Sequence, residues 1–444
     1  NGCSTAPSTE GDSATETPDD GNTVTINAWV QGKAPDKYRL ENIKTAAERL
    51  NEELKAEGED IEVVIDGTID ESDWGDYKQK FTLAIESNKG PDIILSGHED
   101  VAPWSQAGYI ISLDEYIDQH NEFSDVYDNL WDSVTYKGEK WGVPQDVEAR
   151  PIYYRKDYLS QLGWSDEEIE SLPTKIEDGE FLLEDLLKLA AEAQDSGIVE
   201  EGYGFYHRPV QGNDFYMYYY AFGGKMQDEE SGKLVLNKDA LLKEYTFFHD
   251  AVFKYKTTKE NFLGTDWDLW HPAVTSGESF ISQAGTWTVA EWKDKWELSE
   301  EEWENFGYAL VPAGEKGKEP VTLSHPLVYM ISSQSEHPDL AARLLALATT
   351  PDLNTKHALE SNHLAILETQ EDDPDYKNDP FLSDVTYMLN YTHYLPNHDR
   401  FGTYDEAVFR GLSAVEAGQM TPDEAVETVV ADLERQLSDE VIIE

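Results

Sequence analysis

Apolar and polar residues alternate first at 24–30, where β-branched and aromatic side chains predict a strand. Apolar residues then recur at helical spacing over 36–57, a strand pattern returns over 61–65, a second helix pattern spans 77–85, and a third strand is predicted over 91–95. A strand–helix–strand–helix–strand order predicts a parallel sheet with helices on its faces.

The middle of the chain has a different pattern, with more helices and many aromatic residues. Helices are predicted over 181–194 and 239–254, strands over 306–311 and 327–331, and a further helix begins at Pro338, a residue suited to a first helical position. We find no internal repeat and no linker after residue 22 that would separate two continuous domains. This absence favours domains built from interleaved segments of the chain.

The C-terminal helix carries its own start signal. Thr421, Pro422 and Glu424 form a capping-box pattern with proline at the first helical position. An amphipathic stripe follows over 425–437.

Trp267 and Trp270 lie in a stretch that we expect to be a loop. They could cap a binding site, and packing on the surface is an equal alternative.

The first segment, residues 1–22, contains no Val, Leu, Ile or aromatic residue. It consists mainly of Ser, Thr, Pro, Gly, Asp and Glu, so it cannot bury enough apolar surface to order itself. Its Cys3 is the one cysteine of the chain, which excludes an intrachain disulfide. A Gly-Cys pair before a polar linker resembles the processed end of a bacterial or archaeal lipoprotein, so Cys3 is predicted to be lipidated and 1–22 to be a disordered tether.

Size and charge narrow the function classes. At 444 residues, the chain is long enough for two domains. It has 90 Asp and Glu against 34 Lys and Arg, for a formal net charge of −56, so we expect no nucleic-acid partner. No run approaches the roughly 18 apolar residues of a membrane span.

Catalytic and cofactor motifs are missing from the sequence. It has no phosphate-binding GxxxxGK[ST] loop, no HExxH and no GxSxG. The acidic runs, such as 372–375, lack EF-hand spacing and are predicted to be solvated loops. We therefore expect no enzyme activity, no cofactor and no metal.

Four stretches carry a resemblance to a known family. They are 89–100 with its continuation to 116, 136–158, 280–287 and 415–426. In their order and spacing they resemble the extracellular solute-binding proteins of ABC sugar importers, of the maltose-binding-protein type. The resemblance extends from about residue 23 to the end of the chain.

This resemblance implies an α/β, two-lobed periplasmic-binding-protein-like fold of type II, in which helices flank a central sheet in each lobe and hinge crossovers join the lobes. The N-terminal lobe would comprise 23–147 plus 326–370, and the C-terminal lobe 148–325 plus 371–444. The implied partners are a small sugar and the membrane permease of an ABC importer. The protein is then expected to be a monomer, lipid-anchored on the extracellular face of the cytoplasmic membrane.

A sugar offers C–H faces that stack on aromatic rings and hydroxyls that bind planar polar groups. In open α/β sheets such groups lie in the loops after the strands' carboxyl ends. On the N-terminal lobe these loops supply the candidates Trp29, Gln31, Lys33, Ser96, His98 and Glu99. The resemblance assigns a carboxylate contact to the loop of Glu99, whereas a solvated loop or a helix cap is an equal alternative for His98.

Further candidates lie at the first crossover and on the other lobe. They are Asp146, Glu148, Arg150, Asn213, Asp214, Tyr216, Trp267, Trp287, His325 and Tyr404. The resemblance places Glu148 at a ligand contact of the hinge and Trp287 at a sugar-stacking position. Arg150 has the alternative of a purely structural ion pair with Asp146 or Glu148.

The number of aromatic candidates favours a di- or oligosaccharide, and 147–155 resembles receptors for α-glucosides. Two other functions stay open at this stage. A secreted glycoside hydrolase could use Asp146 and Glu148 as its carboxylate pair. A surface adhesin would bind a polymer without catalysis and without closing on it.

Overall fold

The computed structural model describes residues 22–444 and contains two central sheets, each covered by helices. The strands are β1 Thr23–Gln31, β2 Glu62–Asp70, β3 Ile93–Gly97, β4 Thr135–Tyr136, β5 Glu139–Lys140, β6 Val143–Pro144, β7 Ile152–Arg155, β8 Phe205–Tyr206, β9 Leu234–Leu236, β10 Ile281–Gln283, β11 Phe306–Ala309, β12 Thr322–Leu323, β13 Leu327–Ile331, β14 Thr392–His393 and β15 Val441–Ile443.

Helices of widely different length cover these sheets. They are α1 Tyr38–Ala56, α2 Trp74–Glu86, α3 Val101–Gln106, α4 Asp114–Gln119, α5 Lys156–Gln161, α6 Asp166–Glu177, α7 Leu183–Asp195, α8 Tyr216–Ala221, α9 Lys238–His249, α10 Trp267–Thr275, α11 Thr288–Lys295, α12 Glu300–Trp303, α13 Pro338–Ala348, α14 Pro351–Ser361, α15 Pro374–Lys377, α16 Pro380–Val385, α17 Phe401–Glu416 and α18 Pro422–Leu437. None of the helices in the described part of the chain is long and apolar enough to span a membrane.

The first sheet has the strand order β2-β1-β3-β13-β6. β1 pairs in parallel with β2 and β3, as the alternating pattern of the first hundred residues predicts. β13 enters between β3 and β6 and runs antiparallel to both. We call the part of the molecule built on this sheet the first lobe.

The second sheet has the order β11-β7-β10-β8. Along the chain, all four of its strands follow β6 and precede β13. The chain therefore leaves the first lobe through 145–151 and returns through 324–326. We call the part built on this sheet the second lobe and these two segments the crossovers. A small parallel pair, β12 with β14, lies next to the second crossover.

Local sequence signals explain where the helices begin and which face they bury. The side chain of Thr421 accepts a hydrogen bond from the Glu424 amide, so the predicted start of α18 is confirmed. On α1, Leu40, Ile43 and Leu50 are buried. A Cβ added at Gly67 of β2 would lie 2.5 Å from Leu40 Cδ1, so this glycine lets α1 pack closely on the sheet.

The loop predicted around Trp267 and Trp270 is wrong, because both residues lie in α10. Asp266 caps this helix by accepting a hydrogen bond from the Asp268 amide, and Trp270 is only 1% exposed. An N-cap and the burial of a large ring stabilise a helix that weak local propensity does not indicate. The residue boundaries assigned to the two lobes stay predictions.

Candidate functional site

The two crossovers run side by side and bring Glu148 to His325. Glu148 is 4% exposed, and its Oε1 accepts a hydrogen bond from the His325 amide at 2.5 Å. The Ser324 hydroxyl donates to the Glu148 carbonyl, also at 2.5 Å. These bonds hold the Glu148 carboxylate and the His325 backbone together at the junction of the lobes.

On the first-lobe side, Glu99 reaches the same junction from the turn after β3. Its Oε2 lies 2.6 Å from His325 Nε2, and its Oε1 lies 3.1 Å from Lys78 Nζ. Lys78 also pairs with Asp100 at 2.9 Å. Burial opposes ionisation of Glu99, but His325 and Lys78 outweigh it and hold its pKa well below the usual range. Although burial disfavours the charged ring of His325, Glu99 raises its pKa.

His98 lies beneath this pair and is fully buried. Burial lowers the pKa of His98 to about 3, so its ring is neutral. Its centroid is 5.2 Å from that of His325 and 6.0 Å from that of Tyr394. The alternative of a solvated loop for His98 is therefore excluded by its burial.

On the second-lobe side, Arg150 connects the junction to an aromatic surface. Its guanidinium lies 3.5 Å from Glu148 and makes a short hydrogen bond to Asp214. The guanidinium carbon lies 5.3 Å from the centroid of Trp287, within range of a cation–π interaction. Arg150 therefore pairs with Glu148, one of the two partners foreseen for it, while also lining the site.

Trp287 is a large aromatic ring that stays accessible, with 38% of its surface exposed. It precedes α11, and the preceding Thr286 amide donates to the Ala149 carbonyl at 2.9 Å, which fixes this turn to the first crossover. A Cβ at Gly285 would overlap the Trp287 ring. Glycine at 285 is thus what lets the ring lie flat against the backbone and present its other face.

Next to Trp287, three rings form a stack on the second lobe. His271 stacks on Trp267 with centroids 5.3 Å apart and on Trp296 at the same distance. The guanidinium of Arg208 lies 5.4 Å from Trp267 on the cavity side. Trp267, Trp287, Arg208 and Asp214 line one cavity of about 340 Å³, a size typical of small-molecule sites.

The charges of this site are paired one with another. Glu99 faces Lys78 and His325, Glu148 faces Arg150, and Asp214 lies between Arg150 and Arg208, the latter at 4.0 Å. The chain as a whole carries a formal charge of −56, so the pairing of acidic with basic groups at these positions contrasts with the acidic excess of the rest of the protein. Glu99, Glu148 and Asp214 therefore offer hydrogen-bonding atoms while their charges are balanced by basic neighbours.

The structure does not bring Gln31 and Asp146 to this surface. Asp146 is 1% exposed and lies 3.0 Å from His357, 3.4 Å from His363 and 3.6 Å from Arg39. Gln31 accepts from Arg39 and donates to the Ser72 carbonyl. Their polar atoms form hydrogen bonds or ion pairs inside the first lobe. Neither side chain therefore presents an exposed group for the ligand contact that was predicted for it.

Three more candidates use their side chains internally, and the ring of a fourth, Trp29, packs partly buried against the core. The Ser96 hydroxyl donates to Asp100 at 2.5 Å, and the Trp29 carbonyl accepts from Tyr77 while its ring is partly buried. The Tyr216 hydroxyl donates to Asp405 at 2.6 Å. Tyr404 is 1% exposed. Their predicted ligand roles stay predictions.

The Tyr404 hydroxyl donates to the Val235 carbonyl, so this ring belongs to the core of the second lobe. Lys33, by contrast, is exposed, and Asn213 is partly exposed beside Asp214. Cys3 lies outside the described residues.

Four residues of the site do not appear among the sequence candidates: Lys78, Arg208, His271 and Trp296. Arg208 follows β8, so the rule that ligands meet the carboxyl ends of strands could have found it. Lys78, His271 and Trp296 lie within helices or just after one, and no local pattern marks them as different from surface residues.

The carboxylate pair required by a glycoside hydrolase is not available at Asp146 and Glu148. Both are buried, and each is held by partners: Asp146 by His357 and Arg39, and Glu148 by Arg150 and the His325 amide. General acid–base work needs carboxyl groups that reach the substrate.

Known proteins resemble this chain in sequence. The family model of the bacterial extracellular solute-binding proteins matches residues 40–355. A maltotriose-binding protein of Pyrococcus abyssi is 22% identical over 359 residues, covering 80% of this chain and 70% of that one. A maltodextrin-binding protein of Bacillus subtilis is 24% identical over 331 residues, covering 70% and 66%.

Solved structures resemble it in fold. The sugar-binding protein MalE of Xanthomonas citri superposes with a TM-score of 0.76 at 16% identity, covering 94% of this chain and 98% of that one. A cyclic alpha-maltosyl-1,6-maltose binding protein of Arthrobacter globiformis gives 0.73 at 18% identity, covering 94% and 100%. The predicted two-lobed α/β fold is confirmed.

Proposed function

Because this chain belongs to the bacterial extracellular solute-binding protein family, whose members bind solutes without catalysis, we propose that it is the sugar receptor of an ABC importer. It binds a neutral di- or oligosaccharide of the α-glucoside type between the lobes and delivers it to the permease. The relatives named for maltotriose and maltodextrin support this ligand class. The observation that carries the proposal is the exposed Trp287 ring next to the Arg150 guanidinium, which pairs with Glu148 and Asp214.

The chemistry of the site suits an uncharged sugar. Trp287 offers a flat face for the C–H side of a pyranose, and Glu99 and Arg208 keep polar atoms accessible for hydroxyls. Since Glu99, Glu148 and Asp214 each already have a basic partner, an ionic ligand gains little from these three groups. A neutral saccharide matches both the aromatic face of Trp287 and the hydrogen-bonding groups around it.

A ligand can close two lobes only if it contacts both of them. Glu99 comes from the first lobe and Trp287 from the second, with Arg150 and His325 of the crossovers between them. Closure around the sugar would create the surface that the permease recognises. This requirement separates a receptor from an adhesin, which binds on one rigid face.

A thermal-shift screen tests the proposal. The panel contains glucose, maltose, maltotriose and maltohexaose, with lactose and glucuronate as non-α-glucoside and anionic controls. We expect the melting temperature to rise with the maltose series only, because a ligand that binds the native state stabilises it by mass action. Small-angle scattering with the same sugars should show compaction. Binding without compaction would favour the adhesin, and release of reducing sugar would favour the hydrolase.

We extend the proposal to the N-terminal segment. Lipidation of Cys3 would hold the monomeric receptor at the extracellular face of the membrane, with residues 1–22 as the tether. Expressed with its signal peptide, the protein should partition into the detergent phase, and Cys3→Ser should move it to the aqueous phase. An unchanged partition would exclude the anchor.

A further inference from the structure

Three metal-binding side chains converge at the junction of the lobes. His98, Glu99 and His325 each offer a ligand atom, and these atoms all lie within 4.8 Å of one another. Two imidazoles and a carboxylate form a donor set that suits Zn²⁺ and related divalent ions.

His98 is the member of this group whose polar ring is buried without hydrogen bonds to both of its nitrogens. The side chain is fully buried; one ring nitrogen bonds the Ser133 backbone, and the other has no hydrogen-bond partner among residues 22–444. Buried polar atoms in native proteins nearly always have a partner, because leaving one unpaired is costly. The ring faces His325, with centroids 5.2 Å apart, so a metal ion at the cluster would use one of these nitrogens.

The other two donors are held in place by second contacts. Lys78 binds Oε1 of Glu99 and leaves Oε2 turned to His325. A side chain at Gly97 would overlap the Glu99 carboxylate, so glycine is what admits it. The His325 backbone is fixed by the Glu148 carboxylate. Such outer contacts are what orient metal ligands in proteins.

A second cluster with similar donors shows what a merely structural arrangement is like. Asp146, His357 and His363 also lie within 4.8 Å, but Asp146 already binds His357 at 3.0 Å and lies 3.6 Å from the Arg39 guanidinium. Glu99 of the first cluster also has a basic neighbour, Lys78 at 3.1 Å, so the difference between the two clusters lies in the exposure of the carboxylate. Both Asp146 and His357 are at most 1% exposed, so an ion has no clear path to them.

We propose that His98, Glu99 and His325 form a binding site for a divalent transition metal ion of the Zn²⁺ type, with an open coordination position toward the interlobe surface. Zn²⁺ ligands at about 2.0–2.2 Å stand roughly 3.3 Å apart in a tetrahedron. The 2.6 Å between Glu99 Oε2 and His325 Nε2 must therefore widen slightly. The side chains of Glu99 and His325 are 39% and 35% exposed, so both can move and an ion can enter.

Titration with Co²⁺ tests this site in the sugar-free protein, so its outcome does not depend on the proposed function. The full chain carries Cys3→Ser, which removes its only thiol, and excess Mg²⁺ occupies the many surface carboxylates. We expect one Co²⁺ per chain, with visible absorption of a four-coordinate site, and displacement by Zn²⁺. The absence of that absorption at millimolar Co²⁺ would overturn the proposal.

Variants locate the ion. His325→Gln and Glu99→Gln should each weaken Co²⁺ binding at least about 100-fold, and both positions are exposed enough for the fold to persist, which circular dichroism checks. His363→Gln in the second cluster is the matched control and should bind Co²⁺ as before. Binding that survives His325→Gln, or that is lost only in His363→Gln, would overturn the assignment.

Discussion

The two sides of the interlobe site differ in how they use charge and aromatic surface. The first-lobe side presents Glu99 and Lys78, an ion pair whose members are 39% and 26% exposed. The second-lobe side presents Trp287, while its ion pair, Arg150 with Asp214, is 9% and 5% exposed. One lobe therefore offers accessible polar groups, and the other offers an aromatic face on a buried ionic support.

This difference divides the two surfaces of a sugar between the lobes. Hydroxyls meet the first lobe and C–H faces meet the second, so neither lobe alone satisfies the ligand. The two ion pairs should also differ in their effect on stability. Breaking an exposed ion pair costs little, whereas breaking a buried one leaves an uncompensated charge inside the protein. Substitutions on the two sides should therefore have different consequences.

The largest effect is expected at Asp214. Asp214→Ala leaves Arg150 buried next to a single, more distant carboxylate, and should lower the free energy of unfolding by about 3–5 kcal/mol. Denaturant unfolding measures this. The pair of Lys188 and Glu184, both 60% exposed, is the control, and Lys188→Ala should cost less than about 1 kcal/mol. Equal costs for the two variants would contradict the distinction between buried and exposed pairs.

Trp287→Ala should weaken sugar binding about 100-fold, close to 3 kcal/mol, because it removes the accessible stacking surface. The ligand-free melting temperature should change little, since 38% of the ring is exposed. Titration calorimetry with the sugar found in the screen measures the loss. Trp303→Ala, beside β11 at a separate cavity of about 670 Å³, is the control and should bind normally. An unaltered affinity in Trp287→Ala would remove this ring from the site.

His393, whose carbonyl accepts a hydrogen bond from the Ser324 amide of the second crossover, makes stability depend on pH. It stacks on Tyr220 at 4.1 Å, and burial lowers its pKa to about 4. The unfolded chain, with a pKa near 6.5, then binds more protons, so stability falls as pH drops from about 6.5 to about 4. Discounted for partial exposure, the loss is about 2 kcal/mol.

Replacing the titrating ring tests this. His393→Phe keeps the stack on Tyr220 and should flatten the stability profile between pH 6.5 and 4.5, where most carboxylates are still ionised. Urea unfolding at several pH values compares the variant with the original chain. The same slope in both would assign the effect to other groups.

The smallest of these effects is expected on the first-lobe side. Glu99→Gln keeps the shape of the side chain but loses charge-assisted hydrogen bonds, and should weaken sugar binding about 10-fold. Its stability should change little, because the pair with Lys78 is partly exposed. Calorimetry with EDTA present measures the sugar alone. A loss as large as that of Trp287→Ala would mean that the lobes do not divide the ligand as proposed.

Much of the fold follows from local pattern. β1, α1 and α2 lie where alternation and helical spacing predict them, and α18 begins at its capping threonine. The resemblance to a family predicts ligand contacts at Glu99, Glu148 and Trp287; the structure brings each of them next to His325 or Arg150, and their ligand roles stay predictions. The helix at Trp267 was missed because its stability comes from burial and not from local propensity.

The sequence by itself determined the period of β1, α1, β2, α2 and β3, the start of α18 and the acidic composition, because these depend on residue types and on side chains close together in the chain. Only the tertiary structure decided that β13 enters the first sheet antiparallel, that Asp146 turns inward to His357, and that Lys78 and Arg208 complete the site. Those outcomes depend on contacts between segments far apart in the chain, whose competing burial and pairing energies no local pattern records.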